Sequence, residues 1–186
     1  MGEGFNMSKV RGDNLPVTNV SYEDIMQFIK KLNKLSSKKY RLPTEAEWMW
    51  AAMGANKDKD QGIWTSCDKE EKLGDYAWYE KNSENKPHPV GKKKPNELGL
   101  YDMSGNVWEC CQDFYKEELG NDPVIDPIEA KAKSNYHVAR GGCYYWGKDY
   151  LMIQRHKRTA SSGLCEIGYA YFTYESRDFF GFRLAL

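Results

Sequence analysis

Long apolar runs are missing from this chain. Its mean hydropathy is −0.79, and no stretch approaches the ~20 residues that a bilayer-spanning helix needs. A surplus of either charge is missing too. Lys and Arg number 27 against 27 Asp and Glu, so no strong field draws nucleic acid or an anionic membrane. Cysteine is sparse. Cys67, Cys110, Cys111, Cys143 and Cys165 contain no CxxC pair, which argues against a zinc site. Their odd count leaves at least one thiol unpaired within a monomer and excludes a disulfide scaffold. The opening residues Met1-Gly2-Glu3-Gly4-Phe5 lack the basic start and apolar core of a signal peptide. On that basis the protein is cytoplasmic unless a leader has been trimmed. Repeats and low-complexity linkers are absent, so the 186 residues read as one domain large enough to bury a sizeable core.

Aromatic residues are plentiful, at 14% of the chain with thirteen Tyr and six Trp. Such side chains suit surfaces that both pack and hydrogen-bond. Residues 1–14 form a polar segment expected to be flexible. Pro16-Val17-Thr18-Asn19-Val20 reads as a short strand. Ser21 then caps a helix from Tyr22 to about Leu35, with Asp24 in the capping-box position. Its apolar stripe is Ile25, Phe28, Ile29, Leu32 and Leu35. Tyr40-Arg41-Leu42 is extended. Thr44 and Glu47 make a second capping box for a helix from Glu45 to about Met53, which Gly54 ends. Residues 55–75 read as a charged loop, and Tyr76-Ala77-Trp78-Tyr79 as core. His88, between two prolines, carries no catalytic reading. Cys110 to Tyr115 is a strand, and a loop follows to Asn135. From His137 to Leu186 no helical period appears, which predicts short strands and loops.

The stretch Gly99 to Glu109 combines turn formers with two carboxylates. Ser104-Gly105-Asn106 is a turn in which Gly105 takes a conformation costly to other residues. Asp102 before the turn and Glu109 after it can converge with main-chain carbonyls, an oxygen cluster of the kind Ca²⁺ takes. The plainer reading is a structural loop whose carboxylates cap amides or pair with cations.

Four blocks stand in order: Pro16 to Tyr22, Tyr40-Arg41-Leu42-Pro43-Thr44-Glu45-Ala46-Glu47-Trp48, Gly99 to Glu109, and Arg140-Gly141-Gly142 with Gly181-Phe182-Arg183. From about Leu15 to Leu186 the chain resembles the formylglycine-generating enzyme (sulfatase-modifying factor) family. The resemblance implies an α+β domain over 15–186 with the C-type-lectin-like fold of that family. It has two helices, short twisted antiparallel strands and much irregular loop. It also implies a structural Ca²⁺ site made by the Asp102 and Glu109 side chains with the Gly105 and Val107 carbonyls, and requires no other cofactor.

In the enzymes, two cysteines after the Gly-Gly bind copper. Thiolates are the soft ligands that Cu(I) prefers. Counting from Gly141-Gly142, those positions hold Trp146 and Leu151, so the resemblance implies a domain that has lost the catalytic pair. The tail also resembles a narrower group, the variable proteins of diversity-generating retroelements. That resemblance makes 140–183 a diversified ligand-binding segment, displayed at the cell surface through a lipid anchor on a leader. The residues expected to contact ligand are Tyr144, Tyr145, Trp146, Asp149, Tyr150, Cys165, Ile167, Tyr169, Tyr171, Tyr174, Arg177 and Phe179. The ligand is an unidentified protein or cell-surface molecule, and the domain is a monomer. Tyr144, Tyr145, Tyr150, Tyr169, Tyr171 and Tyr174 are expected on one exposed face. The alternative is a copper-dependent formylglycine-generating oxidase acting on protein cysteines through Cys143 or Cys165.

Overall fold

A computed structural model describes residues 8, 10–54, 64–65, 67, 69–115, 136–153, 156–160 and 176–186, with the main chain alone at 156–160 and 176–177. Helix α1 (Tyr22–Leu35) starts where the capping pattern places it. Ser21 Oγ accepts from the Asp24 amide at 3.1 Å, and Asp24 Oδ2 accepts from the Ser21 amide at 2.9 Å. Ile25 and Ile29 point inward from its apolar stripe and pack with Leu42 and Cys110. Helix α2 (Glu45–Ala52) carries the second capping box. Arg41 holds the Glu47 carboxylate with two bonds of 2.6 and 2.7 Å. Trp48 and Ala52 face the core.

The charged run read as loop contains a third helix, α3 (Glu70–Tyr76). Two acids in its first turn suit the helix dipole. Leu73 is fully buried and packs with Ala77, Tyr79 and Leu151. One anchoring leucine in a short polar segment is too little to raise a periodic signal. It becomes helical because the rest of the chain supplies the hollow that Leu73 fills.

Strands β1 (Trp108–Phe114), β2 (Tyr136–Arg140), β3 (His156–Ala160) and β4 (Phe180–Phe182) form a sheet in the order β3-β2-β1-β4. The pairs β1–β2 and β2–β3 are antiparallel, as expected. The pair β1–β4 is parallel, with Trp108 opposite Phe180. Both faces of β1 are buried, so successive cysteines part company. Cys110 joins the cluster under α1, and Cys111 joins the cluster under α2. Arg41 bridges to Ala185, which ties the chain end to the stem of α2.

The segment Pro16–Val20 makes no strand ladder, contrary to the sequence expectation. Its Thr18 amide is taken instead by a side chain, donating to Ser8 Oγ at 2.8 Å. Of the residues expected to be flexible, 1–7 and 9 lie outside the described residues; the Asn14 carbonyl accepts from the Val90 amide at 2.8 Å.

Candidate functional site

Two loops meet at the end of β1: the turn that precedes it and the start of the tail that follows β2. In the turn, Gly105 has φ +85°, and a Cβ there would lie 2.2 Å from the Trp78 carbonyl oxygen. No other residue fits that approach. Asn106, at φ +60°, accepts from the His88 amide at 3.0 Å and donates to the His88 carbonyl at 3.1 Å. Asp102 is buried, and its Oδ2 accepts from the Gly91 amide at 2.8 Å. Its Oδ1 is buried with no hydrogen-bond partner among the described residues. Burial raises the Asp102 carboxyl above its ordinary pKa, against the pull of the Gly91 amide.

Glu109 is more fully engaged. Its Oε2 accepts from Trp48 Nε1 at 2.6 Å and from Arg183 Nε at 2.5 Å, and its Oε1 accepts from Arg183 Nη2 at 2.5 Å. A carboxylate oxygen can accept twice, so Oε1 keeps one position. The open Asp102 oxygen, that position and the turn's carbonyls are all oxygen donors, the type a hard cation takes, while the Arg183 guanidinium already neutralises Glu109. Beside them lies a cavity of about 410 Å³, walled by Pro16, Val90, Tyr101 and Phe182 and reaching Asp102 and Arg183.

The tail begins at Arg140, which is fully buried and paired with the buried Glu45 of α2. Gly142, at φ +79°, lets the tail fold back: a Cβ there would meet the Tyr150 carbonyl oxygen at 2.7 Å. Tyr144, expected on the exposed face, is buried at 6% exposure. Its ring packs against Phe179 with centroids 5.3 Å apart, and burial pushes its phenol pKa up. Tyr145 does emerge, at 39% exposure, with its ring 5.2 Å from Phe179. Trp146 is half-buried between Trp108, Tyr150 and Phe179, at centroid distances of 5.9, 5.4 and 5.6 Å. Asp149 is exposed, while Tyr150 and Phe179 are half-buried. Arg177 lies in a 3₁₀ turn, Ser176–Phe179. Cys165, Ile167, Tyr169, Tyr171 and Tyr174 lie outside the described residues.

The thiols among the described residues are all buried. Burial pushes the Cys110 thiol up to about 12 and raises Cys111 well above its ordinary value. Held protonated and enclosed, Cys110 and Cys111 are poor nucleophiles and poor metal ligands. Leu151, which the resemblance sets at one of the thiol positions, is fully buried. Trp146, at the other, belongs to the aromatic cluster.

Sequence reasoning missed several groups that hold the tail. Ser83 and Ser104 donate to its carbonyls, and Glu70 of α3 pairs with Lys148. These partners lie 61, 47 and 78 residues apart in the chain. No local spacing announces them.

The model of the sulfatase-modifying factor enzyme 1-like domain matches residues 2–186. The formylglycine-generating enzyme of Streptomyces coelicolor is 28% identical over 180 residues, covering 90% of this chain and 55% of that protein. The chaperone protein LppX of Paenibacillus barcinonensis is 40% identical over 89 residues, covering 41% of this chain and 32% of LppX. The chain thus spans about a third to about half the length of these relatives. Among solved structures, Treponema denticola variable protein 1 superposes with a TM-score of 0.75 at 29% identity. The match covers 97% of this chain and 75% of that one. This agrees with the resemblance to variable proteins. With the capped helices, the glycine-bearing turn and the Arg183–Glu109 pair all in place around a small mixed sheet, the chain belongs to the sulfatase-modifying factor enzyme 1-like domain family, on a C-type-lectin-like fold.

Proposed function

We propose that this domain is a non-catalytic binding module whose segment 140–183 is diversified by a retroelement and contacts ligand. The observation that carries the reading is Trp146. It is built into an aromatic cluster with Trp108, Tyr150 and Phe179, at a position that the family resemblance would give to a copper thiolate. Tyr145 rises from that cluster, and large rigid rings of this kind give contact area at low entropic cost. The likeness to a variable protein supports the same reading. The ligand is a protein or other cell-surface molecule, the domain is monomeric, and it is displayed through a lipid anchor.

The DNA beside the gene tests the proposal. A near-copy of the sequence coding for 140–183, differing mainly at adenines and lying next to a reverse transcriptase gene, is the expected finding. Its absence removes the retroelement. Stoichiometric Cu(I) binding in a titration would instead favour an oxidase acting on protein cysteines.

A structural Ca²⁺ belongs to the same proposal. Asp102 and Glu109, with the Gly105 and Val107 carbonyls, would hold it, and the unmatched Asp102 oxygen supports this. The ion would satisfy a buried oxygen and knit the turn; it takes no part in ligand chemistry.

A further inference from the structure

The loop Gly141–Ile153 leaves the end of β2 and returns to it. Arg140 closes its base, with Nη1 donating to the Ile153 carbonyl at 2.9 Å. Between those ends, groups from elsewhere in the chain reach the loop repeatedly. The Gly105 amide donates to the Gly141 carbonyl, and the Asn106 carbonyl accepts from the Tyr144 amide, both at 2.8 Å. Ser83 Oγ donates to the Tyr144 carbonyl at 2.7 Å. The Glu80 amide donates to the Trp146 carbonyl at 3.2 Å. The Trp64 indole donates to the Lys148 carbonyl at 2.8 Å, and Ser104 Oγ to the Leu151 carbonyl at 3.3 Å.

Each of these bonds ends on a main-chain atom of the loop. Each therefore survives any side-chain replacement there that keeps the backbone angles. Ser83 and Ser104 are 0% and 1% exposed, so water does not compete for their hydroxyls, and a carbonyl deprived of one would be left buried and unsatisfied. The loop's own side chains differ in exposure, with Trp146, Lys148, Tyr150 and Met152 half-buried. Tyr144 and Leu151 point into the core, at 6% and 0% exposure, while Tyr145 and Asp149 are exposed.

We propose that Ser83 and Ser104 are positioning residues for the binding loop. They fix the shape of Gly141–Ile153 through its main chain and leave Tyr145 and Asp149 as specificity-determining positions, exchangeable without refolding the loop. The word specificity rests on the binding function proposed above. The loop's tolerance of replacement does not, and it is measured without a ligand.

Two libraries of the full chain are displayed and challenged with protease, one randomised at Tyr145 and Asp149, the other at Tyr144 and Leu151. Most members of the first survive at the parental threshold, and most of the second are cleaved. Ser83→Ala then speeds hydrogen exchange at the Tyr144 and Glu80 amides by about tenfold, the loss expected when a buried hydrogen bond is removed, and leaves the β1–β2 ladder unchanged. If Ser83→Ala does not fold, Ser104→Ala carries the test at the Leu151 amide. Equal losses in the two libraries overturn the proposal, as does exchange that rises equally in loop and ladder. A first library that folds yet yields no binder to any immobilised protein counts against the binding function and leaves the loop result standing.

Discussion

At the scale of single residues, neighbouring tyrosines play opposite parts. Tyr144 is enclosed by the cluster around Phe179, whereas Tyr145 is open to solvent. Truncating a buried aromatic costs about 3–5 kcal/mol, which in a domain of this size lowers the melting temperature by roughly 6–20 °C. Tyr144→Ala should show that loss, and Tyr145→Ala should stay within about 1 kcal/mol of the parent. Thermal melts of both check the pair, and equal losses would contradict the burial seen here. Asp102 supports a second expectation. If Ca²⁺ meets its open oxygen, saturation at about 100 times Kd adds roughly 2.7 kcal/mol. The melting temperature should then fall on chelation with EDTA, and Asp102→Ala should erase the difference between the two conditions. Identical melts of the parent with Ca²⁺ and with EDTA would dismiss the ion.

At the scale of elements, the helix starts were legible because a cap is a short-range device. Ser21 with Asp24, and Thr44 with Glu47, satisfy amides within one turn, and both boxes form. Ser21→Ala should cost about 1 kcal/mol, read from urea melts. Helix α3 was not legible, since it has no side-chain cap and a single buried leucine. The packing of α1 on the sheet was equally hidden. It runs through His137 of β2, which stacks between Tyr22 of α1 at 3.5 Å and Phe114 of β1 at 4.4 Å. Burial lowers the His137 pKa from 6.5, opposed by the Gln112 and Asp113 main chain and by the Glu23 and Asp113 carboxylates. The folded state therefore favours the neutral ring. Stability should be complete above about pH 6.5 and decline as pH falls through that value toward the lower folded pKa. Urea melts at pH 8 and pH 5 check this. His137→Gln should flatten the part of the slope that belongs to this ring, and an unchanged slope would assign the effect elsewhere.

At the scale of the whole molecule, ion pairs with a buried carboxylate join distant parts of the chain. Glu45 and Arg140 are 95 residues apart and both buried, and Glu109 and Arg183 are 74 residues apart. The first links α2 to the end of β2, where the tail begins. Arg140→Met removes the cation paired with the buried Glu45 carboxylate, which should cost about 3–5 kcal/mol, whereas adding Glu45→Met should recover part of the loss. A double-mutant cycle by chemical denaturation measures it, and additive losses would show that the pair is not coupled.

The sequence by itself determined what neighbouring residues can settle. Two capping boxes placed α1 and α2, and the turn at Gly105 required a residue without a Cβ. The ordered blocks identified the family. Tertiary structure decided the rest: which tail rings are enclosed, that α3 is a helix, that β4 runs parallel to β1, and that Glu109 answers to Arg183. The physical reason is range. Caps and turns are satisfied within a few residues, but burial and strand pairing depend on groups brought together only when the whole chain closes. Tyr144 and Tyr145 are adjacent and chemically identical, so only the fold around them could assign one to the core and the other to the surface.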